Sequence, residues 1–350
     1  MNRFLNEIEQ QPQALKDTLQ YYSEGKGKEC LDRVVTLWQS GRYDKIIFTG
    51  MGSSYFISNA ATSLLNSSKI NSFAINAGEL LHYQFQLLSK KTLLVCISQS
   101  GESYEIVKIL EQLPADVTVI AICNEPESIL VKKADETLLS IAGKEDMTST
   151  KTFITSYLVM YILSLALREK LDSTSFTEMQ ATNKSVSDLI NTRNNWLADA
   201  VKTIAHVPFV QLVARGPVFA TAQQSALMLM EATRNPASAL LGGEFRHGPM
   251  EMIKEGSRVV IFAPGGKTYD QNLSATADVL AFGAKVLLIT DQVPAIIHEN
   301  LFSITIPGVN EELFAIASII PMQLLVNQWS VEEKNEPGSF KRGAKVTSIE

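Results

Sequence analysis

Six polar side chains gather in two short loops early in the chain. One loop reads Thr49-Gly-Met-Gly-Ser-Ser54 and the other Ser98-Gln-Ser-Gly-Glu-Ser103. Ser53, Ser54, Ser98, Ser100 and Ser103 offer hydroxyls, and Gln99 offers an amide. Each loop follows an apolar run and leads into a helical pattern, so the unpaired N–H groups of a first helical turn add to the donors. Such a set, without Lys or Arg, suits a phosphate monoester held by dipoles instead of full charges. One serine in such a place would be an ordinary helix cap. Two neighbouring strand ends carrying six polar groups point to a bound anion. Neither loop is a nucleotide fingerprint. Gly50-Met-Gly52 lacks the third glycine of the dinucleotide motif, Phe56 or Ser58 standing there, and no Walker lysine follows. The favoured ligand is the phosphate ester of a small molecule, not NAD or ATP.

A second group of candidates lies past the middle. Glu231 closes the apolar stretch Ala226-Leu-Met-Leu-Met230, where partial desolvation would suit a general base. His247 stands before Gly248-Pro249 in the run Gly242-Gly-Glu-Phe-Arg-His-Gly-Pro249, and histidine is the side chain that exchanges protons most readily near neutrality. Taken alone, Glu231 also reads as a solvated helix end, His247 as a loop hydrogen-bonder and Arg246 as an ion-pairing surface residue. The end of the chain, Phe340-Lys-Arg-Gly-Ala-Lys-Val-Thr-Ser-Ile-Glu350, carries Lys341, Arg342 and Lys345 with little apolar cover. It reads as a loose terminus, or as a tail that closes over a site and brings a lysine to a sugar.

The elements that must carry these residues repeat along the chain. Runs at 45–48 (KIIF), 92–97 (TLLVCI) and 117–122 (VTVIAI) are nearly continuous in apolar residues, as in parallel strands covered on both faces. Helical patterns at 58–65 and 104–113 alternate with them. The second half repeats this with strands at 209–213, 258–262 and 285–289 and helices at 222–232 and 272–281. Gly216 lies 164 residues after Gly52, Gly266 lies 165 after Gly101, and Asp291 lies 167 after Asn124. Three collinear landmarks imply two copies of one α/β domain, each a doubly wound parallel sheet flanked by helices. The expected organisation is an N-terminal helix (about 4–24) within 1–29, copy one at 30–170, a linker at 171–194, copy two at 195–335 and a tail at 336–350. Ligands of open α/β sheets sit beyond the carboxyl ends of the strands. Copy two has Ala214-Arg-Gly-Pro217 and Ala263-Pro-Gly-Gly-Lys267 there, without clustered hydroxyls. One anion site per chain is therefore expected, in copy one.

Composition sets the outer limits. The 350 residues carry 31 Lys+Arg against 37 Asp+Glu, a formal charge of −6. That balance argues against nucleic-acid partners and a polybasic membrane surface. Hydrophobic residues make up 45%, enough for folded domains of ordinary size. Cys30, Cys96 and Cys123 are too few and scattered for a disulfide framework, and His82, His206, His247 and His298 make no His-x-x-x-His pair. No metal or cofactor is expected. The charged, amphipathic start is not a signal peptide. The apolar stretch 153–167 is too short to span a bilayer and reads as a buried helix. A cytoplasmic protein without membrane association follows as the expectation.

Together these segments resemble the double-domain members of the sugar isomerase (SIS) superfamily. The resemblance is carried in family order by Gly50-x-Gly52-x-Ser54-Tyr55, Ser98-Gln-Ser-Gly-Glu-Ser103, Thr148-Ser-Thr-Lys-Thr-Phe153, Gly243-Glu-Phe-Arg-His-Gly-Pro249 and Ala344-Lys345. It extends over nearly the whole chain. Its type is the isomerase half of glucosamine-6-phosphate synthase, with stand-alone amino-sugar-6-phosphate deaminases and fructosamine-6-phosphate deglycases as relatives. The resemblance implies an enzyme with a sugar 6-phosphate substrate. Ser53, Ser54, Ser98, Gln99, Ser100, Ser103 and Ala344 would then face the phosphosugar. Glu231 falls where the family has the base that moves a proton between C1 and C2. His247 falls on the ring-opening histidine, which the family supplies across a homodimer interface, so a shared active site is expected. Lys345 falls on the near-terminal lysine that engages the open-chain carbonyl, as a positioning or Schiff-base group. Two departures steer the reading. The sequence starts at a helix without an N-terminal Cys nucleophile, so glutamine-fed ammonia transfer is not expected. Met228-Leu-Met230 replaces a lysine-rich stretch, which favours amine release over synthase-type isomerisation. A phosphosugar-binding sensor and a plain aldose–ketose isomerase are the alternatives.

Overall fold

The structure, a computed structural model, describes residues 2–347. Five strands form a first sheet: β1 (Lys45–Gly50), β2 (Ser72–Asn76), β3 (Thr92–Ser98), β4 (Thr118–Cys123) and β5 (Glu136–Leu139). Five more form a second: β6 (Val210–Ala214), β7 (Ala237–Leu241), β8 (Arg258–Ala263), β9 (Lys285–Thr290) and β10 (Leu301–Thr305). The spatial order is β2-β1-β3-β4-β5 in the first and β7-β6-β8-β9-β10 in the second, and every pairing is parallel. The two orders are the same permutation, so the repeat in the sequence is a repeat of topology. In both sheets the order reverses beside the first strand of the set, which opens a crevice between β1 and β3 and between β6 and β8.

The chain divides into two compact units. The first-sheet unit holds residues 13–145, 149–180 and 341–347, and the second-sheet unit holds 2–12, 146–148 and 181–340. In the first, Ile47, Leu94, Cys96, Ile106, Ile109, Val119 and Ala121 lie in one apolar cluster. In the second, Val213, Ile261, Val279, Val286 and Leu288 do the same. β3 and β4 are buried at every residue, as their apolar runs require. The helix Lys151–Leu167 buries every residue but Ala166. Its apolar surface is therefore spent inside the chain and offers nothing to a second copy.

The N-terminal element differs from the single helix expected over 4–24. It is two helices, Arg3–Glu9 and Gln11–Ser23, broken at Gln10. Pro12 is the reason: without an N–H it can open a helix but not continue one. A third helix, Lys26–Gln39, follows. The stretch between the two repeats carries the 19-residue helix Ser173–Asn191. One described helix, Phe314–Glu332, is long and apolar enough to cross a membrane, but 89% of its apolar window is buried in the protein, as in a core helix.

Candidate active site

Both serine loops lie where the fold places ligands, at the carboxyl ends of β1 and β3. The chain leaves β1 at Gly50 and enters helix Ser53–Asn66 through Gly52, which has φ +51°. Gly50 is needed for contact rather than torsion: a methyl group there would stand 2.7 Å from both the Ile97 carbonyl oxygen and Ser54 Cβ. That closeness fits the start of helix Ser53–Asn66 against the end of β3. The second loop is braced by its own backbone. Gly101 N–H donates to Ser98 Oγ (3.0 Å), Leu130 N–H to the Gly101 carbonyl (3.2 Å) and Asn124 N–H to the Gln99 carbonyl (3.2 Å). The Glu102 carboxylate accepts from Ile129 N–H at 2.8 Å. Gly101 has φ +64°, and a methyl group there would lie 2.2 Å from Ser128 Oγ.

Capping does not consume these hydroxyls. Helix Ser53–Asn66 has Gly52 at its cap position, and Ser103, at the cap of helix Tyr104–Gln112, makes no side-chain capping bond. The hydroxyls of Ser53 and Ser54 have no hydrogen bond among the described residues. Among the described residues, Ser103 Oγ meets only Ser98 Oγ, at 3.5 Å. Ser100 Oγ accepts from Glu102 N–H at 3.2 Å, and Gln99 is half-buried beside it. Thr49, fully buried at the end of β1, has a hydroxyl without a partner among the described residues. Buried polar groups are rarely left so. The first sheet thus carries hydroxyls at two neighbouring strand ends with hydrogen-bonding capacity to spare, as an anion site requires.

The matching place in the second sheet is filled from within. Gly265 N–H donates to Asp291 Oδ1 at 2.6 Å, and Lys267 N–H to Glu311 Oε2 at 3.4 Å. The chain's own carboxylates occupy the amides that an external anion would use.

The C-terminal tail returns to the first-sheet unit. Tyr104 N–H, at the start of the helix after the second serine loop, donates to the Thr347 carbonyl at 3.1 Å. Lys345 Nζ lies 2.6 Å from Glu145 Oε2, whose side chain is fully buried while that of Lys345 is 18% exposed. Glu145 also accepts from Thr150 N–H (2.9 Å), Thr152 N–H (3.1 Å), Thr150 Oγ1 (3.0 Å) and Thr152 Oγ1 (2.5 Å). Burial pushes its pKa up, but the charge of Lys345 and these hydrogen bonds outweigh burial and hold the carboxyl below its usual range. Ala344 is exposed beside Lys345. Ser348 to Glu350, the end of the expected tail, lie outside the described residues.

The other two candidates belong to the second-sheet unit. Glu231 is not in a regular helix end as expected. Helix Phe219–Met228 widens into a π-helical turn, Leu229–Thr233, which ends at Arg234 in the left-handed conformation (φ +62°). Such widenings recur at functional positions. The Glu231 side chain is half-buried, and Thr148 Oγ1 donates to its Oε2. His247 is exposed at the end of helix Gly242–Arg246, with no side-chain hydrogen bond among the described residues. Arg246 pairs with Asp278 at 2.6 Å, the bland role. Glu231 precedes β7 in the chain and His247 follows it, one in the turn before the strand and the other at the end of the short helix after it. No group of three or more His, Cys, Asp or Glu placed to hold a metal occurs among the described residues.

Sequence reasoning missed Glu145 and Thr148. They hold the tail lysine and the candidate base, and they stand three positions apart in the chain. The Thr148-Ser-Thr-Lys-Thr-Phe153 motif was the available signal, but it identifies no partner for either residue.

Comparison with known proteins agrees with this geometry. The SIS domain model matches twice, at residues 42–166 and 204–332. The chain belongs to the SIS-domain family. It is 32% identical to a glutamine–fructose-6-phosphate aminotransferase (isomerizing) of Pyrococcus horikoshii, over 99% of this chain and 57% of that protein. It thus spans less than two thirds of that relative. Among solved structures, the C-terminal domain of glucosamine-fructose-6-phosphate aminotransferase from Francisella tularensis superposes with a TM-score of 0.87 at 24% identity, covering 97% of this chain and 98% of that one. Glucosamine-6-phosphate deaminase from Thermotoga maritima gives 0.73 at 22% identity, covering 99% of both. At these identities the two structures establish the fold of the double domain.

Proposed function

We propose that this protein is a phosphosugar isomerase/deaminase that releases an amine from an amino-sugar 6-phosphate or a fructosamine 6-phosphate. The unspent donors at the ends of β1 and β3 carry the reading. Ser53, Ser54, Ser98, Gln99, Ser100 and Ser103 hold the 6-phosphate and anchor the far end of the sugar. Glu231 moves the proton between C1 and C2, with the Thr148 hydroxyl bond fixing its orientation. Lys345 engages the open-chain carbonyl. His247 opens the ring from a second copy of the chain. Its exposure supports a role outside its own chain's site. The names of the relatives, an isomerizing aminotransferase and a deaminase, agree in substrate class. Met228 and Met230 stand in place of a lysine-rich stretch and favour the amine-releasing direction. No cofactor is needed for this chemistry, and the setting is cytoplasmic.

The test is a matched turnover assay. Glucosamine 6-phosphate, fructose 6-phosphate with ammonia, and lysine, asparagine and glutamate adducts of fructose 6-phosphate are offered in parallel, and amine and hexose phosphate are followed by mass spectrometry. Release of amine from one substrate, abolished by Glu231→Gln with binding retained, is expected. Sugar phosphates that raise the melting temperature without any turnover would favour a binding sensor and remove Glu231 from the mechanism. Fructose 6-phosphate converting to glucose 6-phosphate, with no amine released, would leave a plain isomerase.

A further inference from the structure

The residues around Glu145 do more than cap a helix. The core helix Lys151–Leu167 has no side-chain cap from Thr150, its own cap residue. The cap is Glu145, reached from five residues upstream, which takes the amides of Thr150 and Thr152. Its second oxygen faces Lys345. A carboxylate with no exposure persists only with a counter-charge and satisfied lone pairs, and Lys345 supplies that charge. The stretch leading to Glu145 is held in a costly conformation. Ile141, a β-branched residue, has φ +45°. It is pinned on both sides: the Ser140 carbonyl accepts from Thr18 Oγ1 at 2.8 Å, and Ala142 N–H donates to Asn124 Oδ1 at 2.8 Å. Strained backbone kept by its surroundings is a recurrent mark of functional segments.

We propose that Glu145 is the positioning residue of the tail: it seats Lys345 as an ammonium ion and thereby fixes the strap 341–347 against the helix that follows the second serine loop. The catalytic consequence rests on the function proposed above. There, a lysine seated this way meets the sugar carbonyl as a charged hydrogen-bond donor. The pair also couples two parts of the site. The Tyr104 amide, an orphan donor at a helix start, is closed by Thr347, two residues beyond Lys345. Losing either member of the ion pair therefore opens a contact next to the phosphate loop.

The experiment uses the full-length protein and its Glu145→Gln, Lys345→Met, double and Glu145→Asp variants. Hydrogen exchange at the Tyr104 amide is read by peptide mass spectrometry, with no ligand and no turnover needed. Each single variant is expected to exchange faster by about tenfold or more, the double variant no faster than the singles, and Glu145→Asp in between. Lys345→Met alters only the tail, so it keeps the test sharp if Glu145→Gln folds poorly. Unchanged exchange in Lys345→Met, or additive effects in the double variant, would overturn the proposal. In the turnover assay, both single variants should lose kcat by about tenfold or more while KM for the sugar phosphate stays within about threefold. Absence of turnover in the unaltered protein would remove the proposed function while the exchange result still decides the role of Glu145.

Discussion

Gly50→Ala tests whether the two serine loops form one site. The added methyl group would sit 2.7 Å from the Ile97 carbonyl and 2.7 Å from Ser54 Cβ. Relaxing both contacts to ordinary separation needs a shift of at least about 0.7 Å. That shift moves the start of helix Ser53–Asn66 away from the end of β3, and so Ser53 and Ser54 away from Ser98, Gln99 and Ser100. Overpacking of this kind costs about 1–3 kcal/mol. At about 2–4 °C per kcal/mol, the melting temperature should fall by roughly 2–12 °C. A phosphate that loses good geometry to two hydroxyls, at about 1 kcal/mol each, should bind roughly 30-fold more weakly. The second sheet supplies a control, since Ala214 stands 164 residues after Gly50 at the matching strand end. Ala214→Gly should cost only about 0.5–1 kcal/mol and leave phosphate affinity alone. Calorimetric titration with glucosamine 6-phosphate and a thermal melt read both quantities. A lowered melting temperature with unchanged affinity would mean that the loops do not share one phosphate. No change in either would refute the packing reasoning itself.

Three further outcomes follow from the same geometry. Calorimetry should find one phosphate ester bound per chain, because Asp291 and Glu311 occupy the equivalent amides of the second sheet; a stoichiometry of two would contradict this. Glu145 has its carboxyl held low in the folded state, so its contribution to stability is complete above the unfolded carboxyl range, about 4.3, and is lost as pH falls through the lower folded value. The stability gap between wild type and Glu145→Gln should therefore be flat from neutrality to about pH 5 and shrink in stronger acid, and a gap that widens on acidification would be inconsistent. His247→Asn should change stability by less than about 0.5 kcal/mol, because the side chain is exposed, yet should abolish turnover in a dimer. A monomer by light scattering with full activity would exclude its cross-chain role.

The duplicated α/β plan is legible in the sequence, because central parallel strands must be apolar throughout. β1, β3, β4, β6, β8 and β9 were all legible as such runs. The four strands it did not reveal, β2, β5, β7 and β10, are the two edges of each sheet. Edge strands are covered on fewer sides, and these four bury at most two residues each over only four or five positions. The serine loops were legible too, since their chemistry and flanking glycines are local. Which side chain holds which is a matter of packing. Lys345 finds Glu145 across 200 positions, and Thr148 finds Glu231 across 83. Local periodicity carries no record of such pairings. They exist because the packed chain brings the tail to a buried carboxylate that folding must neutralise.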